Sequence, residues 1–273
     1  MSNTLKYMFE NLACTFSPKK GAEHFDASYE VNYVWINDQK QEPNEGGAAC
    51  SMPLKLLDRV FNNANKYPDA QYNIWVDRDL MDPLSHFFIV SHAYLASANN
   101  VKFRSLRDVA KINEYDDIFG EKKPKHIWAR VDLARILVLE HQLKENPDPL
   151  RLQLYSDFDV KDLKLRCKHM KNTLNRHGMF FGRTLGVSAM LENGYMCFGQ
   201  NGRDFLEGKL LPKTMEAVHA DNNGWKALVK THESLIKDYN FFYRTRMVSG
   251  PRQESTKYEV PDNPFYISCG LNK

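Results

Sequence analysis

Cysteine is sparse and unpatterned in this sequence. Cys14, Cys50, Cys167, Cys197 and Cys269 are an odd number, widely scattered, with no C-x-x-C pair. Such spacing excludes a disulfide framework and a zinc knuckle, and it fits a reducing compartment. The nine histidines show no H-E-x-x-H or other zinc spacing, so His126 and His177 read as structural. Long hydrophobic runs are missing as well. The most apolar stretch, HFFIVSHAYLASA (86–98), is too short to cross a bilayer and is broken by Ser91 and His92. The opening MSNTLKYMFENLACTF has no cationic start followed by an apolar run, unlike a signal peptide. Charge of one sign is not in excess either. The 37 basic and 34 acidic residues leave a net charge of +3, whereas nucleic-acid binders carry a concentrated basic face. The expectation is a cytoplasmic-type protein with no transmembrane segment, no nucleic-acid partner, no internal repeat and no low-complexity region.

What is present is enough apolar material for one large domain: 42% of 273 residues are hydrophobic. After about thirty residues without a clear period, set apart as an N-terminal helical extension (1–30), VNYVWI (31–36) is a β-branched and aromatic run that predicts the first strand. A loop with Pro43, Gly46 and Gly47 follows. Leu54, Leu57, Val60 and Phe61 then fall at helical spacing, in a helix stopped by Pro68. QYNIWV (71–76) predicts a second strand, 84–97 a helix, and VKFRSL (101–106) a third strand. NEYDDIFGEKKPK reads as a polar loop or short turn. A helix is expected from Ile127 to Lys144 and a fourth strand over LRLQLYS (150–156). This alternation predicts an α/β fold with a mostly parallel central sheet, in which ligands gather at the carboxyl ends of the strands. Further on, MFFGRTLG and GYMCFG predict short strands and 223–243 a helix. The tail 244–273 reads as a mobile closing segment.

The fourth strand ends in LYSDFD. In an extended segment, residues two apart point to the same side, so Asp157 and Asp159 place two carboxylates together. Their repulsion is unfavourable unless water, a donor group or a cation offsets it. Taken singly, a D-x-D triplet is a solvated strand end or a cap, and the chain has a second one at Asp77-Arg78-Asp79. The helix upstream, HIWARVDLARILVLE, is apolar from Ile127 to Leu139 except for Arg130, Asp132 and Arg135. Asp132 and Arg135 are three apart and share one face. Two readings stand open: an internal ion pair, or a pair facing a ligand crevice, with the aspartate accepting sugar hydroxyls and the arginine binding an oxygen-rich group.

VWIN (34–37), RVDLARILVL (130–139) and YSDFD (155–159), in that order, resemble the D-x-D glycosyltransferases of GT-A fold. The likeness is strongest to the glucosyltransferase domain of the large clostridial cytotoxins and related bacterial effector glycosyltransferases. It covers about residues 31 to 160 and implies a single Rossmann-like nucleotide-sugar-binding domain over 31–273. Residue by residue, it implies that Trp35 stacks on the uracil of a UDP-sugar and that Asp132 and Arg135 contact the donor sugar. Tyr155 would help hold the donor. Asp157 would meet ribose or metal-bound water, and Asp159 would ligate Mn²⁺ or Mg²⁺ directly. Such cations prefer oxygen ligands and combine one or two carboxylates with substrate phosphates. The activity implied is hexosyl transfer from UDP-glucose or UDP-N-acetylglucosamine to a protein or glycan hydroxyl, with retention. The chain could then be an effector delivered into a host cell.

This sequence departs from the pattern in places. Phe158 is aromatic where a small or aliphatic residue is usual, and LEHQLKENPDP replaces a glycine turn. The clostridial enzymes end with a loop tryptophan over the donor, but the last tryptophan here is Trp225. MVSGPR (247–252) instead resembles a Ser/Thr-Gly-Pro segment, which implies Ser249 and Arg252 near the diphosphate; otherwise it is an ordinary turn. Asp77 stands either in the crevice or in a structural role. Glu192 and Asn193 read as a turn before a strand, and the basic run 161–176 as a solvated helix face. A nucleotidyltransferase of similar fold would need a glycine-rich basic phosphate loop, which NDQKQEPNEGGAAC matches poorly. A catalytically inactive nucleotide-sugar-binding module is the third alternative.

Overall fold

The computed structural model describes residues 27–36, 54–77, 100–120, 125, 127–158, 160, 162–166, 168–183 and 191–220. Within these, six strands form one sheet in the order β3-β2-β1-β4-β6-β5. The strands are β1 (Ser28–Trp35), β2 (Gln71–Val76), β3 (Val101–Ser105), β4 (Arg151–Ser156), β5 (Met179–Arg183) and β6 (Leu191–Phe198). β1 pairs in parallel with both β2 and β4, and β2 with β3; β6 is antiparallel to β4 and β5. The α/β class and the mostly parallel, Rossmann-like sheet are those expected. The first strand begins three residues early, so Ser28–Glu30 are strand, not part of an extension.

Helices cover both faces. α1 (Leu54–Lys66) and α5 (Lys168–His177) lie on one side, where Leu57, Val60, Ala64, Met170 and Leu174 share a core with Tyr29, Val31 and Tyr33. α4 (Ile127–Glu145) lies on the other, packed against β1 and β4 and against α7 (Leu211–Ala220). Alternation along β1 accounts for this division, since odd residues enter the first core and Val34 the second. Because α4 is sandwiched, Ala129, Leu133, Ile136, Leu137, Val138 and Leu139 are all buried, as its apolar sequence predicts. Gly178, at φ +72°, ends α5 with its N–H on the Leu174 carbonyl, a left-handed cap that suits glycine.

Three stretches differ from the sequence reading. The expected loop around 113–119 contains α2 (Ala110–Glu114) and α3 (Asp116–Phe119), because Ile112, Ile118 and Phe119 are drawn into the core. Glu192 and Asn193 lie within β6 instead of a turn. Residues 203–220, for which no element is expected, are helical throughout: α6 (Arg203–Phe205), a π-helical turn (Leu206–Leu210) and α7. The basic run is helical only in its second part, as α5, whereas 162–166 is not helical and buries Leu163 and Leu165. The predictions for 84–97, 223–243 and 244–273, with nearly all of 1–30, fall outside the described residues.

Between the sheet and α4 runs a buried polar seam. Asn32 Oδ1 accepts from Trp75 Nε1 (2.9 Å) and from Asn73 Nδ2 (3.3 Å), while Asn32 Nδ2 donates to Gln153 Oε1 (3.2 Å). Gln153 Nε2 continues to Glu30 Oε2 (2.7 Å), and Glu30 Oε1 accepts from Arg151 (3.0 Å). At the other end Arg104 Nε donates to Asn73 Oδ1 (3.0 Å). A one-residue slip of any of these strands would strand several amides in the core, so the seam fixes register. Asn32→Ala removes the shared partner of Trp75, Asn73 and Gln153. It should cost about 3 kcal/mol in a urea unfolding measurement, more than a surface Asn→Ala change.

Candidate functional site

The strand order reverses direction beside β1: β2 and β3 lie on one side of it, β4 on the other. In open α/β sheets such a switch point opens a crevice at the carboxyl ends of the strands. Here β1 and β4 pair as far as Asn32↔Tyr155, whereas β1 stays beside β2 up to Trp35↔Val76. The opening thus lies between Trp35 and the segment that follows Tyr155.

Asp132, Arg135, Tyr155 and Asp157, all singled out in the sequence, are linked to one another beside this opening. α4 carries Asp132 and Arg135 beneath it, and Arg135 Nη2 lies 3.0 Å from Asp132 Oδ1 and 3.6 Å from Asp157 Oδ1. The pair is an internal ion pair, and Arg135 also approaches the carboxylate that follows β4. The guanidinium stacks over the Tyr155 ring, 4.9 Å from its centre. Tyr155 Oη donates to Asp157 Oδ1 at 2.7 Å. Burial pushes the Tyr155 phenol well above its ordinary value, Arg135 opposes this, and Asp157 adds to it. Tyr155 is thus a neutral donor throughout the physiological range.

Asp157 differs from its neighbours in exposure. The side chains of Asp132 and Arg135 are each 5% exposed, that of Asp157 32%. Its side-chain contacts with Tyr155 and Arg135 both use Oδ1. Its backbone is held by a hydrogen bond from Asp157 N to the Gly194 carbonyl of β6 (2.7 Å). A partly exposed carboxylate held through one oxygen suits a hard divalent cation completed by other oxygens. Asp159, Ser249 and Arg252 lie outside the described residues, as does Asp79. Asp77 is buried and ion-paired with Arg107 at 3.0 Å, which gives it a structural role at the end of β2.

Two features of the site went unassigned in the sequence. Phe158, the departure within D-x-D, is buried against Tyr33 (ring centres 5.0 Å apart) and meets Trp35 edge-on at 5.8 Å. Trp35 itself is partly buried in the same cluster. The second is a latch beyond the turn. Asp162 accepts hydrogen bonds from Lys66, from Tyr67 Oη (2.7 Å) and from the Lys164 amide (3.1 Å), tying the post-turn segment to the end of α1. Leu163 N donates to Asn63 Oδ1 (3.2 Å), and Tyr195 Oη to the Leu163 carbonyl (2.6 Å). The signals were an aromatic inside a polar loop and an isolated aspartate in a basic run.

No protein-family model matches the chain, and no curated protein does. The chain has partial similarity to solved structures of transferases. A structure described as PaToxG glycosyltransferase is 12% identical, over 87% of this chain and 82% of that one, with a TM-score of 0.45. Mouse xyloside xylosyltransferase 1 is 8% identical over 76% and 83%, at 0.42. Bacterial N-acetylglucosamine transferase NleB is 10% identical over 82% and 88%, at 0.38. Similarity at this level carries no argument about chemistry; the geometry must.

The latch has a pH signature. Burial raises the Asp162 carboxyl, but hydrogen bonds from Lys66, Tyr67 and Lys164 outweigh it and hold the group well below the usual carboxylate range. A depressed carboxyl adds stability above its unfolded value, near 4, and that stability is lost as pH falls toward the folded value. Asp162→Asn should lower stability by about 1–2 kcal/mol at pH 7. In urea midpoints the gap from the native protein should narrow as pH falls from about 5 toward 3.

Proposed function

We propose that this protein is a metal-dependent glycosyltransferase that moves a hexosyl group from a UDP-sugar to a hydroxyl acceptor, with retention. The observation that carries this reading is the convergence of Trp35, Asp132, Arg135, Tyr155 and Asp157 on the switch-point crevice between β1 and β4.

In this reading each side chain has one task. Trp35 offers an aromatic face at the end of β1 on which a uracil stacks. Asp132, paired with Arg135 through Oδ1, accepts hydroxyls of the donor sugar. Arg135 pairs with Asp132 and Asp157 and holds them in place from beneath. Tyr155 fixes Asp157 through Oδ1, which leaves Oδ2 for a Mn²⁺ or Mg²⁺ ion that Asp159 also ligates. When bound, such an ion neutralises the charge that grows on the departing diphosphate. Ser249 and Arg252 would approach the same diphosphate. No side chain in the described cluster is placed to act as a base: Asp157 is committed to binding and Tyr155 is a neutral donor. The acceptor proton then passes to the departing diphosphate. The acceptor is a protein or a glycan, and the effector role is part of the proposal. No helix among the described residues is long and apolar enough to cross a membrane.

The test is UDP release from UDP-glucose and UDP-N-acetylglucosamine with Mn²⁺, set against EDTA and Asp159→Asn. Release should require metal and fall by roughly 100-fold or more in the variant. A folded sample that shows neither release nor metal-dependent UDP binding would sink the reading, and pyrophosphate release from a nucleoside triphosphate would replace it with nucleotidyl transfer. Trp35→Ala should weaken UDP binding by about 1–3 kcal/mol while leaving the metal requirement intact, as titration calorimetry would report.

A further inference from the structure

Phe158 stands in the turn after β4, beside Trp35 at the end of β1. β1 and β4 keep a constant register from Ser28↔Arg151 to Asn32↔Tyr155 and part beyond it. Continued, that register would bring Phe158 opposite Trp35. The backbones no longer pair there, but the side chains still meet: the Phe158 ring stands at 88° to Trp35 and leans on Tyr33. Rings thus bridge the gap where hydrogen bonds stop.

The turn directs its residues oppositely. Asp157 faces the crevice with its contacts to Tyr155 and Arg135, whose ring and helix belong to the α4 side. Phe158, only 6% exposed, enters the core on the other side of the sheet with Tyr33, Val160 and Leu163. Consecutive residues on one short turn, closed by Val160 N on the Asp157 carbonyl, cannot shift independently. If a cation displaces the Asp157 carboxylate, the turn carries that motion to the Phe158 ring beside Trp35, and by reciprocity a base on Trp35 would bias the turn. A valine or other aliphatic residue has no ring edge with which to make this contact.

We propose that Phe158 is a positioning residue that couples the two halves of the donor site, so that a divalent cation at Asp157 tightens the binding of a nucleobase it never touches. The inference rests on the reading of Trp35 as the base platform and of the Asp157 turn as a cation site. Uridine is the probe, because it carries no phosphate to bridge to the metal. In the native protein Mn²⁺ should tighten uridine binding by roughly 5-fold or more, measured by titration calorimetry. In Phe158→Leu that enhancement should fall below about 2-fold, while UDP still binds with Mn²⁺. A role in packing alone would lower thermal stability and leave the enhancement unchanged.

Two results overturn the inference: native uridine affinity indifferent to Mn²⁺, or equal enhancement in Phe158→Leu. If that variant does not fold, the free-Mn²⁺ electron paramagnetic resonance signal of the native protein decides. Uridine should raise Mn²⁺ affinity by the same factor, and no change in the signal refutes the coupling. Failure of the donor-site reading looks different, since UDP itself would then not bind with Mn²⁺.

Discussion

A guanidinium buried as deeply as that of Arg135 must be neutralised within the protein, because water cannot reach it. Asp132 does this from the same helix and Asp157 from the end of β4, so one charge ties the central helix to the turn where the sheet opens. The arrangement leaves little freedom. α4 cannot rotate without drawing Arg135 off Tyr155, and the turn cannot swing without breaking the hydrogen bond from Tyr155 to Asp157. The crevice therefore inherits its shape from an ion pair that is itself shielded from solvent, where Coulomb attraction is strong.

Further down the same face of the sheet, order is kept by amides. Asn32 and Asn73 interrupt otherwise apolar strands at paired positions, and Trp75 spends its only polar hydrogen on Asn32. Gln142 of α4 is fully buried and its amide has no partner among the described residues. A buried water is the ordinary way to satisfy such a group.

Much of this was legible in the sequence because the period was clean. QYNIWV bounded β2 without error, and the largely apolar run after Ile127 located α4 and its burial on most sides. Arg135, Asp132, Tyr155 and Asp157 stood out because polar residues in apolar runs need a reason. The helices over 203–220 were missed although Leu206, Leu210, Thr214 and Val218 recur every four residues and are all buried. Gly202, Gly208 and Pro212 punctuate that stretch as if it were loop; the proline is tolerated at the start of α7, and Gly208 falls in the π turn. What no local pattern could reveal is partnership across the fold. Asp162 with Tyr67 and Phe158 with Trp35 are contacts that only the closed sheet creates.

The seam and the crevice also differ in kind. At the centre of the seam, Asn73, Asn32 and Gln153 carry no charge at any pH. The crevice is fastened by carboxylates, through Asp157 above Arg135 and Asp162 against Lys66 and Tyr67. Protons therefore act on the Asp162 latch, whose carboxylate is held by hydrogen bonds that protonation would remove, and not on the three amides at the centre of the seam. The join between the post-turn segment and α1 can be tuned by the medium, while the middle of the sheet is held by bonds that acid leaves alone.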